Sequence, residues 1–275
     1  PQNNYFGQCV RFEGTGCETT IKNSVFNGVH AVVVGEATTG ANTVAQENNT
    51  DNTKTYDVKA GTKYYYTLAE AFAAVEDNAT IEVRRDIEET ETAVNTKNVV
   101  LDLKGNTVTM VYNQKATKNH TMISNSGNLT IQSSVEGGKL SYTYAGENLG
   151  TTYSTNTVTS DPGSVLTVKS GTIENLTYDN SVIAYAIDGL TNGGAGDVTV
   201  NIEGGVITSK RQAVRIFANS TTNTGALNIS GGDFTGRVIV QNASAKANKA
   251  ALNITGGTFN ANEYKTDVLY LGGSH

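Results

Sequence analysis

The chain of 275 residues has no tryptophan, only two prolines and only two methionines. It is instead rich in asparagine, threonine and glycine, with 29 glycines. Asparagine and glycine favour turns, threonine favours strands, and all three are poor helix formers. The composition therefore favours a protein built mainly of strands and turns.

A basic surface and a long apolar segment are also missing. The formal net charge is −6 and the sequence pI is about 5.1. Without a basic stripe to displace counterions, a nucleic-acid partner is not expected, and neither is binding to an anionic membrane surface. No apolar run approaches the roughly 20 residues of a membrane helix, so membrane insertion is not expected.

The sequence also lacks the closely spaced histidine and cysteine residues of a zinc site. The three histidines, His30, His120 and His275, are far apart in the sequence and have no matching cysteine spacing. Zinc sites combine closely spaced cysteine and histidine ligands. We therefore predict no metal site and no cofactor, with Ca²⁺ the one ion that a lyase activity would require.

One short phrase recurs along the chain. It occurs as LDLKGNTV (101–108), LTVKSGTI (166–173), VNIEGGVI (200–207), LNISGGDF (227–234) and LNITGGTF (252–259). A further copy begins at residue 129, and successive copies start 25 to 37 residues apart. A recurring period of this length is typical of a solenoid, in which each repeat is one structural unit.

The pattern inside the phrase indicates which kind of solenoid. Leu252 and Ile254 alternate with the polar residues Asn253 and Thr255, and this period of two predicts a strand with one buried face. A glycine corner, a further inward apolar residue and a second short strand follow in several repeats. We therefore predict an all-β parallel β-helix in which like residues stack on like.

One segment departs from this pattern. YTLAEAFAAVEDN predicts a helix at residues 67–76, with Thr67 and Glu70 as a capping box. Its apolar stripe consists of Leu68, Ala71, Phe72 and Val75. Because a solenoid end exposes apolar edges, we interpret this helix as an N-terminal cap, with repeats from about residue 80.

The residues before the helix suggest a separate segment. Residues 18–35 resemble the last repeat, 253–273, in their order of strand, small corner, phenylalanine and apolar strand. Residues 1–35 are therefore predicted to be β-helix-like. They are either the tail of a preceding domain or a segment that docks on this molecule or on a neighbour. Residues 36–56 are polar and predict a linker or excursion, and 57–275 form the β-helix domain.

The series TLAEAFAAV, TIEVRRDI, VVLDLKGNTVT and NITGGTF resembles the pectate-lyase-like, right-handed β-helix modules of large bacterial surface proteins. The likeness covers about residues 57–273. It implies a right-handed parallel β-helix with a short N-terminal capping α-helix, in an extracellular or cell-surface bacterial protein. It further implies an often non-catalytic module of adhesin-like or carbohydrate-associated proteins, although the fold also hosts polysaccharide lyases and glycosidases.

Candidate residues for a lyase site lie in SKRQAVRIF. A lyase needs carboxylates on neighbouring repeats to hold calcium, and a lysine or arginine as the base. The candidates are Lys210, Arg211 and Arg215, with Asp188 one repeat earlier and Asp233 one repeat later. Because Arg215 alternates with apolar neighbours, we expect it to point outward on a solvated basic patch.

Two further groups bear on chemistry. A glycosidase needs two carboxylates that flank a groove, but the acidic run Asp86, Glu88, Glu89 and Glu91 is interpreted as a charged surface near the cap. The pair Cys9 and Cys17, in CVRFEGTGC, is predicted either to form a small disulfide loop or to be two buried thiols.

Ligand binding is predicted for a long insertion at residues 141–163. It contains Tyr142, Tyr144 and Tyr153 among polar residues. Tyrosine rings stack on sugars, and loops on a rigid scaffold are common binding positions. The alternative is that these rings cover the repeat edges as ordinary packing.

Three functions remain open from the sequence. The first is a non-catalytic surface module for adhesion or scaffolding, with glycans or a host or cell-surface protein as partner. The second is a polysaccharide lyase or glycoside hydrolase, and we lean against an enzyme. The third is a structural protein that self-associates end to end through residues 1–35.

Overall fold

The architecture was obtained from a computed structural model. It describes residues 8–12, 18–26, 30–34, 43–47, 50–51, 57–115, 117–146, 153–177, 183–243, 250–263 and 267–273. Nearly all of these residues lie in strands or tight turns, so the all-β class is confirmed. Among them, no helix has the length and apolar character needed to cross a membrane.

The chain divides into two compact units, Pro1–Tyr56 and Asp57–His275. The described strands of the first unit are β1 (Gln8–Phe12), β2 (Glu18–Lys22), β3 (Val25–Phe26), β4 (His30–Val34), β5 (Thr43–Glu47) and β6 (Thr50–Asp51). They form three parallel pairs, β1 with β4, β2 with β5 and β3 with β6. The described part of this unit is therefore also built from parallel strands.

The second unit contains helix α1 (Leu68–Ala74) and 21 described strands. The earlier ones are β7 (Val58–Ala60), β8 (Lys63–Tyr65), β9 (Ala79–Val83), β10 (Ile87–Glu88), β11 (Ala93–Asn95), β12 (Asn98–Asp102), β13 (Thr107–Tyr112), β14 (His120–Asn125), β15 (Asn128–Gln132), β16 (Lys139–Tyr144) and β17 (Ser154–Ser160). The later ones are β18 (Val165–Val168), β19 (Thr172–Asn175), β20 (Ile183–Leu190), β21 (Val198–Ile202), β22 (Val206–Ala218), β23 (Gly225–Ile229), β24 (Asp233–Asn242), β25 (Ala250–Ile254), β26 (Thr258–Asn260) and β27 (Leu269–Gly273).

These strands form three parallel ladders. The first ladder runs β9, β12, β15, β18, β21, β23, β25. The second runs β10, β13, β16, β19, β22, β24, β26, and the third runs β11, β14, β17, β20, β22, β24, β27. The long strands β22 and β24 contribute to both the second and third ladders. Each repeat thus adds one strand segment to each ladder.

The register places like residues on like. In the first ladder Leu227 pairs with Leu252, Asn228 with Asn253 and Ile229 with Ile254. The Asn228 amide donates to Oδ1 of Asn201, one repeat earlier, at 2.9 Å. Stacked identical side chains with side-chain hydrogen bonds are a recurrent stabilising feature of parallel ladders. The predicted stacking is therefore confirmed.

The predicted glycine corner is confirmed in the turn that follows a first-ladder strand, for example after β21. Gly205 has a φ of 86°, in the left-handed region that glycine tolerates best. A Cβ at this position would lie 2.6 Å from the carbonyl oxygen of Gly171 in the preceding repeat. Both the backbone angle and the close stacking therefore require glycine.

The core lies between the ladders. It is formed by the alternate, inward-pointing aliphatic and aromatic residues of successive strands. Phe234 is fully buried, and its ring stacks on Phe259 of the next repeat with centroids 4.9 Å apart. Each repeat therefore buries the apolar side chains of the repeat before it.

The N-terminal end of the ladders is covered by α1 and by a hairpin. Thr67 is the N-cap of α1, and its hydroxyl accepts from the Glu70 backbone N–H at 3.1 Å. The Glu70 carboxylate in turn accepts from the Tyr66 N–H, one residue before the cap. The helix ends at Ala74, two residues earlier than predicted. Strands β7 and β8 form an antiparallel hairpin that the sequence pattern did not indicate. Strand β7 also pairs antiparallel with β9, the first strand of the first ladder.

We expect core stability to depend on the presence of a following repeat. Leu227→Ala should cost about 2–5 kcal/mol, because Leu227 is fully buried between repeats. Leu252→Ala removes the same side chain from the same position of the last repeat, where it is only partly buried. Its cost should be about half or less. Urea unfolding followed by circular dichroism measures both, and equal costs would contradict this account of the core.

Candidate functional site

The candidate site begins with two charged residues that the fold brings together. Asp188 in β20 and Arg215 in β22 are register partners in the third ladder. Arg215 lies between the core residues Val214 and Ile216, so its side chain leaves the opposite face of the strand. The predicted placement of Asp188 one repeat before Arg215 is confirmed.

The two side chains form a buried, bidentate ion pair. Nε of Arg215 donates to Oδ1 of Asp188 at 2.8 Å, and Nη2 donates to Oδ2 at 2.8 Å. The Asp188 side chain is fully buried, and that of Arg215 is 16% exposed. The guanidinium also lies over the Tyr185 ring, 4.2 Å from its centroid. The expectation of a solvated basic patch at Arg215 is therefore wrong.

Electrostatics hold this pair in its charged form. Burial by itself lowers the pKa of the Arg215 guanidinium, but the adjacent Asp188 carboxylate raises it, and the net pKa is raised. Burial raises the pKa of the Tyr185 hydroxyl, and the positive charge of Arg215 only partly opposes this. Neither Arg215 nor Tyr185 is therefore available as a base near neutral pH.

A second ion pair and several unpaired polar atoms extend this cluster. Arg237 in β24 pairs with Asp267, and its guanidinium lies over the Tyr270 ring, 5.5 Å from the centroid. Among the described residues, Oδ1 of Asn156 and Oε1 of Gln212 are buried without a hydrogen-bond partner. Buried polar atoms of this kind commonly bind water or the polar groups of a ligand.

The remaining lyase candidates do not join the Asp188–Arg215 pair. Asp233 is exposed at the start of β24 and is the register partner of Val206, whereas Arg215 is paired with Ile239. Lys210 is exposed, with its Nζ 3.9 Å from Oε1 of Glu263. Arg211 is partly buried beside Tyr185, whose pKa its charge lowers.

A shallow groove runs beside Lys210. Its volume is about 320 Å³. The lining residues are mostly hydroxyl, amide and charged side chains, namely Leu176, Thr208, Ser209, Lys210, Thr235, Asn262 and Glu263. A surface of this composition can hydrogen-bond the hydroxyls of a polar ligand, and none of these described lining residues is aromatic.

The three tyrosines predicted to bind sugar are packing residues. Tyr142 and Tyr144 lie in strand β16 rather than in a loop, and they are 0% and 6% exposed. Tyr153 is partly buried and packs against the core. The prediction of stacking on sugars fails for Tyr142 and Tyr144 because neither ring presents a face to solvent. The alternation in KLSYTY, which continues the register of TVTMVY, is the signal for this strand.

Tyr142 instead belongs to a cluster with His120. Nδ1 of His120 lies 2.9 Å from the Tyr142 hydroxyl, and the His120 ring stacks on Tyr112 with centroids 3.7 Å apart. Burial, with a smaller effect of Lys118, lowers the pKa of His120 to about 4. Burial also raises the pKa of Tyr142, so its hydroxyl keeps its proton and can donate to the neutral imidazole.

The acidic run near the cap is only partly a charged surface. Asp86, Glu88 and Glu91 are exposed, but Glu89 is 2% exposed. Oε1 of Glu89 accepts from the backbone N–H of Leu68, the first residue of α1, at 2.6 Å. The prediction is therefore wrong for Glu89, whose burial results from the packing of the helix and has no signal in the run of charges.

The metal and disulfide predictions concern residues that the structure describes only in part. Within the described ranges, no group of three or more histidine, cysteine, aspartate or glutamate side chains is placed to hold a metal ion. The side chains of Cys9 and Cys17 lie outside what the structure describes, so their disulfide stays a prediction.

We expect the Asp188–Arg215 pair to be essential for stability. Arg215→Ala should cost about 3–5 kcal/mol, because it leaves the Asp188 carboxylate buried without its partner. Lys210→Ala is the matched control on the same strand, since it removes an exposed cation and should change stability by about 0.5 kcal/mol or less. Urea unfolding measures both, and a near-neutral Arg215→Ala would contradict the burial of the pair.

We expect His120 to stay neutral at pH 6. Because its pKa is lowered in the fold, its contribution to stability is present above about pH 6.5 and is lost as the pH falls towards about 4. Tyr142→Phe removes the hydroxyl beside Nδ1 and should raise the pKa of His120. Tyr153→Phe is the control. Titration of the ring resonances by NMR measures the pKa, and a value near 6.5 in the unmodified protein would refute the cluster.

Comparisons with known protein families, characterised proteins and solved structures find no match for this chain. The resemblance to pectate-lyase-like modules therefore stays a prediction from the sequence motifs, and no relative's activity can be transferred to these residues. A functional proposal for this chain rests on the closed Asp188–Arg215 pair, the polar groove beside Lys210 and the stacked parallel ladders.

Proposed function

We propose that this chain is a non-catalytic scaffold or adhesion module of a bacterial surface protein, with residues 57–275 forming a right-handed parallel β-helix. The three parallel ladders, each extended by every repeat, support the β-helix architecture. The resemblance of the sequence motifs to pectate-lyase-like surface modules supports the location and the role. A long stack of repeats provides a rigid surface on which a partner can be bound.

The main observation in support of a non-catalytic role is the bidentate ion pair between Asp188 and Arg215. Both oxygens of Asp188 accept from Arg215, so neither group is free to bind calcium or to abstract a proton. A lyase or glycosidase needs a charged group that faces the substrate with a matched pKa. Asp188 and Arg215, two of the five residues expected to supply that chemistry, are instead used to stabilise neighbouring repeats.

Carbohydrate binding is proposed at the groove beside Lys210. Its hydroxyl, amide and charged side chains match the hydrogen-bonding needs of a glycan. Because none of the described lining residues is aromatic, we expect weak binding that becomes useful through repeated contacts on one cell surface. A host or cell-surface glycoprotein is the corresponding partner.

The test is a combined binding and cleavage experiment on the purified chain, with and without calcium. A glycan array measures binding, and size-exclusion chromatography of polysaccharides measures shortening. We expect no shortening under either condition, and any binding should decrease in the variant Lys210→Ala with Asn262→Ala. Glu203→Gln, at an exposed position outside the groove, is the matched control.

Two outcomes would support the alternatives. Shortening of a polysaccharide that is lost in Arg215→Lys would overturn the non-catalytic assignment and favour a lyase or glycosidase. Concentration-dependent association that disappears when residues 1–35 are deleted would favour the end-to-end structural protein.

A further inference from the structure

Glu89 is a buried carboxylate whose surroundings favour its neutral form. Its side chain is 2% exposed, and Oε1 accepts a single hydrogen bond from the Leu68 N–H. Oε2 is buried without a hydrogen-bond partner among the described residues. A charged carboxylate with one unsatisfied oxygen is costly in such a position, whereas a protonated one is tolerated.

The charged groups around Glu89 increase this cost. Burial is the main cause that raises its pKa, the Leu68 N–H lowers it, and the carboxylates of Glu70 and Glu91 raise it further, to about 7. Glu70 lies on α1, and Glu91 lies on the segment that follows Glu89. Both negative charges therefore oppose the ionisation of Glu89.

Among the described residues, the cations around α1 do not pair with Glu89. On the strands that contact α1, Lys59 of β7 lies 3.9 Å from Glu82, and Lys63 of β8 is exposed. The third contacting strand, β11, has no charged residue. Lys97 donates to the Val75 carbonyl at the other end of the helix. Within the described ranges, no cation forms an ion pair with Glu89.

Glu89 also connects helix α1 to the second ladder. Its side chain holds the first turn of α1 through Leu68, and its backbone N–H donates to the Thr109 carbonyl of β13 at 2.7 Å. A groove lined by Thr67, Ala69, Glu70, Glu89, Thr90 and Glu91 lies beside it and gives protons a path to the carboxylate. A change in its charge therefore acts directly on the docking of the helix.

We propose that Glu89 is a pH-sensitive latch that holds the N-terminal cap helix α1 against the ladders when protonated and loosens it when ionised. Glu89 binds its proton more tightly when α1 is docked than when α1 is released. The protonated side chain therefore stabilises the docked helix fully below about pH 4.5. This stabilisation is lost as the pH rises through about 7. Mild acid therefore tightens this end of the protein.

The test is hydrogen–deuterium exchange of the α1 amides, read by mass spectrometry between pH 5.5 and pH 8. After correction for the intrinsic pH dependence of exchange, protection of residues 68–75 should fall about 30-fold from pH 5.5 to pH 8. This estimate takes a pKa of about 7 in the docked state and 4.5 in the open state. A local measurement is needed because His120 changes global stability in the opposite sense over part of this range.

Glu89→Gln keeps an oxygen that can accept from Leu68 but does not titrate. Its protection should be the same at both pH values. Glu88→Gln, at the exposed neighbouring position, should retain the full pH dependence. Equal pH dependence in Glu89→Gln and the unmodified chain would overturn the proposal.

A second measurement keeps the proposal testable if Glu89→Gln fails to fold. The carboxyl carbon resonance of Glu89 can be titrated by NMR in the unmodified protein. A midpoint near 7 is expected, together with a parallel change in the α1 amide resonances. A midpoint near 4.5, or a titration to which the helix does not respond, would refute the latch.

Discussion

The structure depends on the in-register parallel pairing of each repeat with the next. A strand of one repeat satisfies its backbone groups and buries its inward side chains only when the following repeat is in place. The same leucine position shows this directly, since Leu227 is fully buried while Leu252 of the last repeat is only partly buried. Glycine corners such as Gly205 are required by the same constraint, because the backbones of adjacent repeats approach too closely for a Cβ.

This constraint determines where charged residues can be placed. On an isolated strand, Arg215 would be a solvated side chain on the polar face. In the ladder it stands beside Asp188 of the preceding repeat at the spacing of two strands, about 4.8 Å, and a bidentate ion pair forms. Asp188 and Arg215, which look like catalytic candidates when counted along the sequence, thus form a cross-repeat contact. A paired and buried charge stabilises neighbouring repeats and is not available for chemistry on a substrate, which supports the proposed non-catalytic role.

The two ends of the ladders differ in how far their inward apolar residues are covered. At the N-terminal end, the β7–β8 hairpin and α1 cover the first repeat, and the buried carboxylate of Glu89 holds the start of the helix. In the last repeat the inward residues Ile254, Leu269 and Leu271 are 38%, 38% and 62% exposed. The docking of the cap depends partly on the titratable group Glu89, whereas His120, inside the ladders, is a titratable group with a lowered pKa. Falling pH is therefore expected to stabilise the N-terminal end through Glu89 and to destabilise the ladders through His120.

The sequence by itself determined the period of the repeats, the alternation of buried and polar positions, the glycine corners and the N-cap of α1. These features are local, and each is written in residues close to one another along the chain. Only the tertiary structure decided that Glu89 is buried, that Tyr142 hydrogen-bonds His120 and that Arg215 forms an ion pair with Asp188. The physical reason is that burial and pairing depend on residues 21 to 27 positions away that meet only when repeats and cap pack together. A hydrophobic pattern states which side of a strand faces the core, but not what covers the other side.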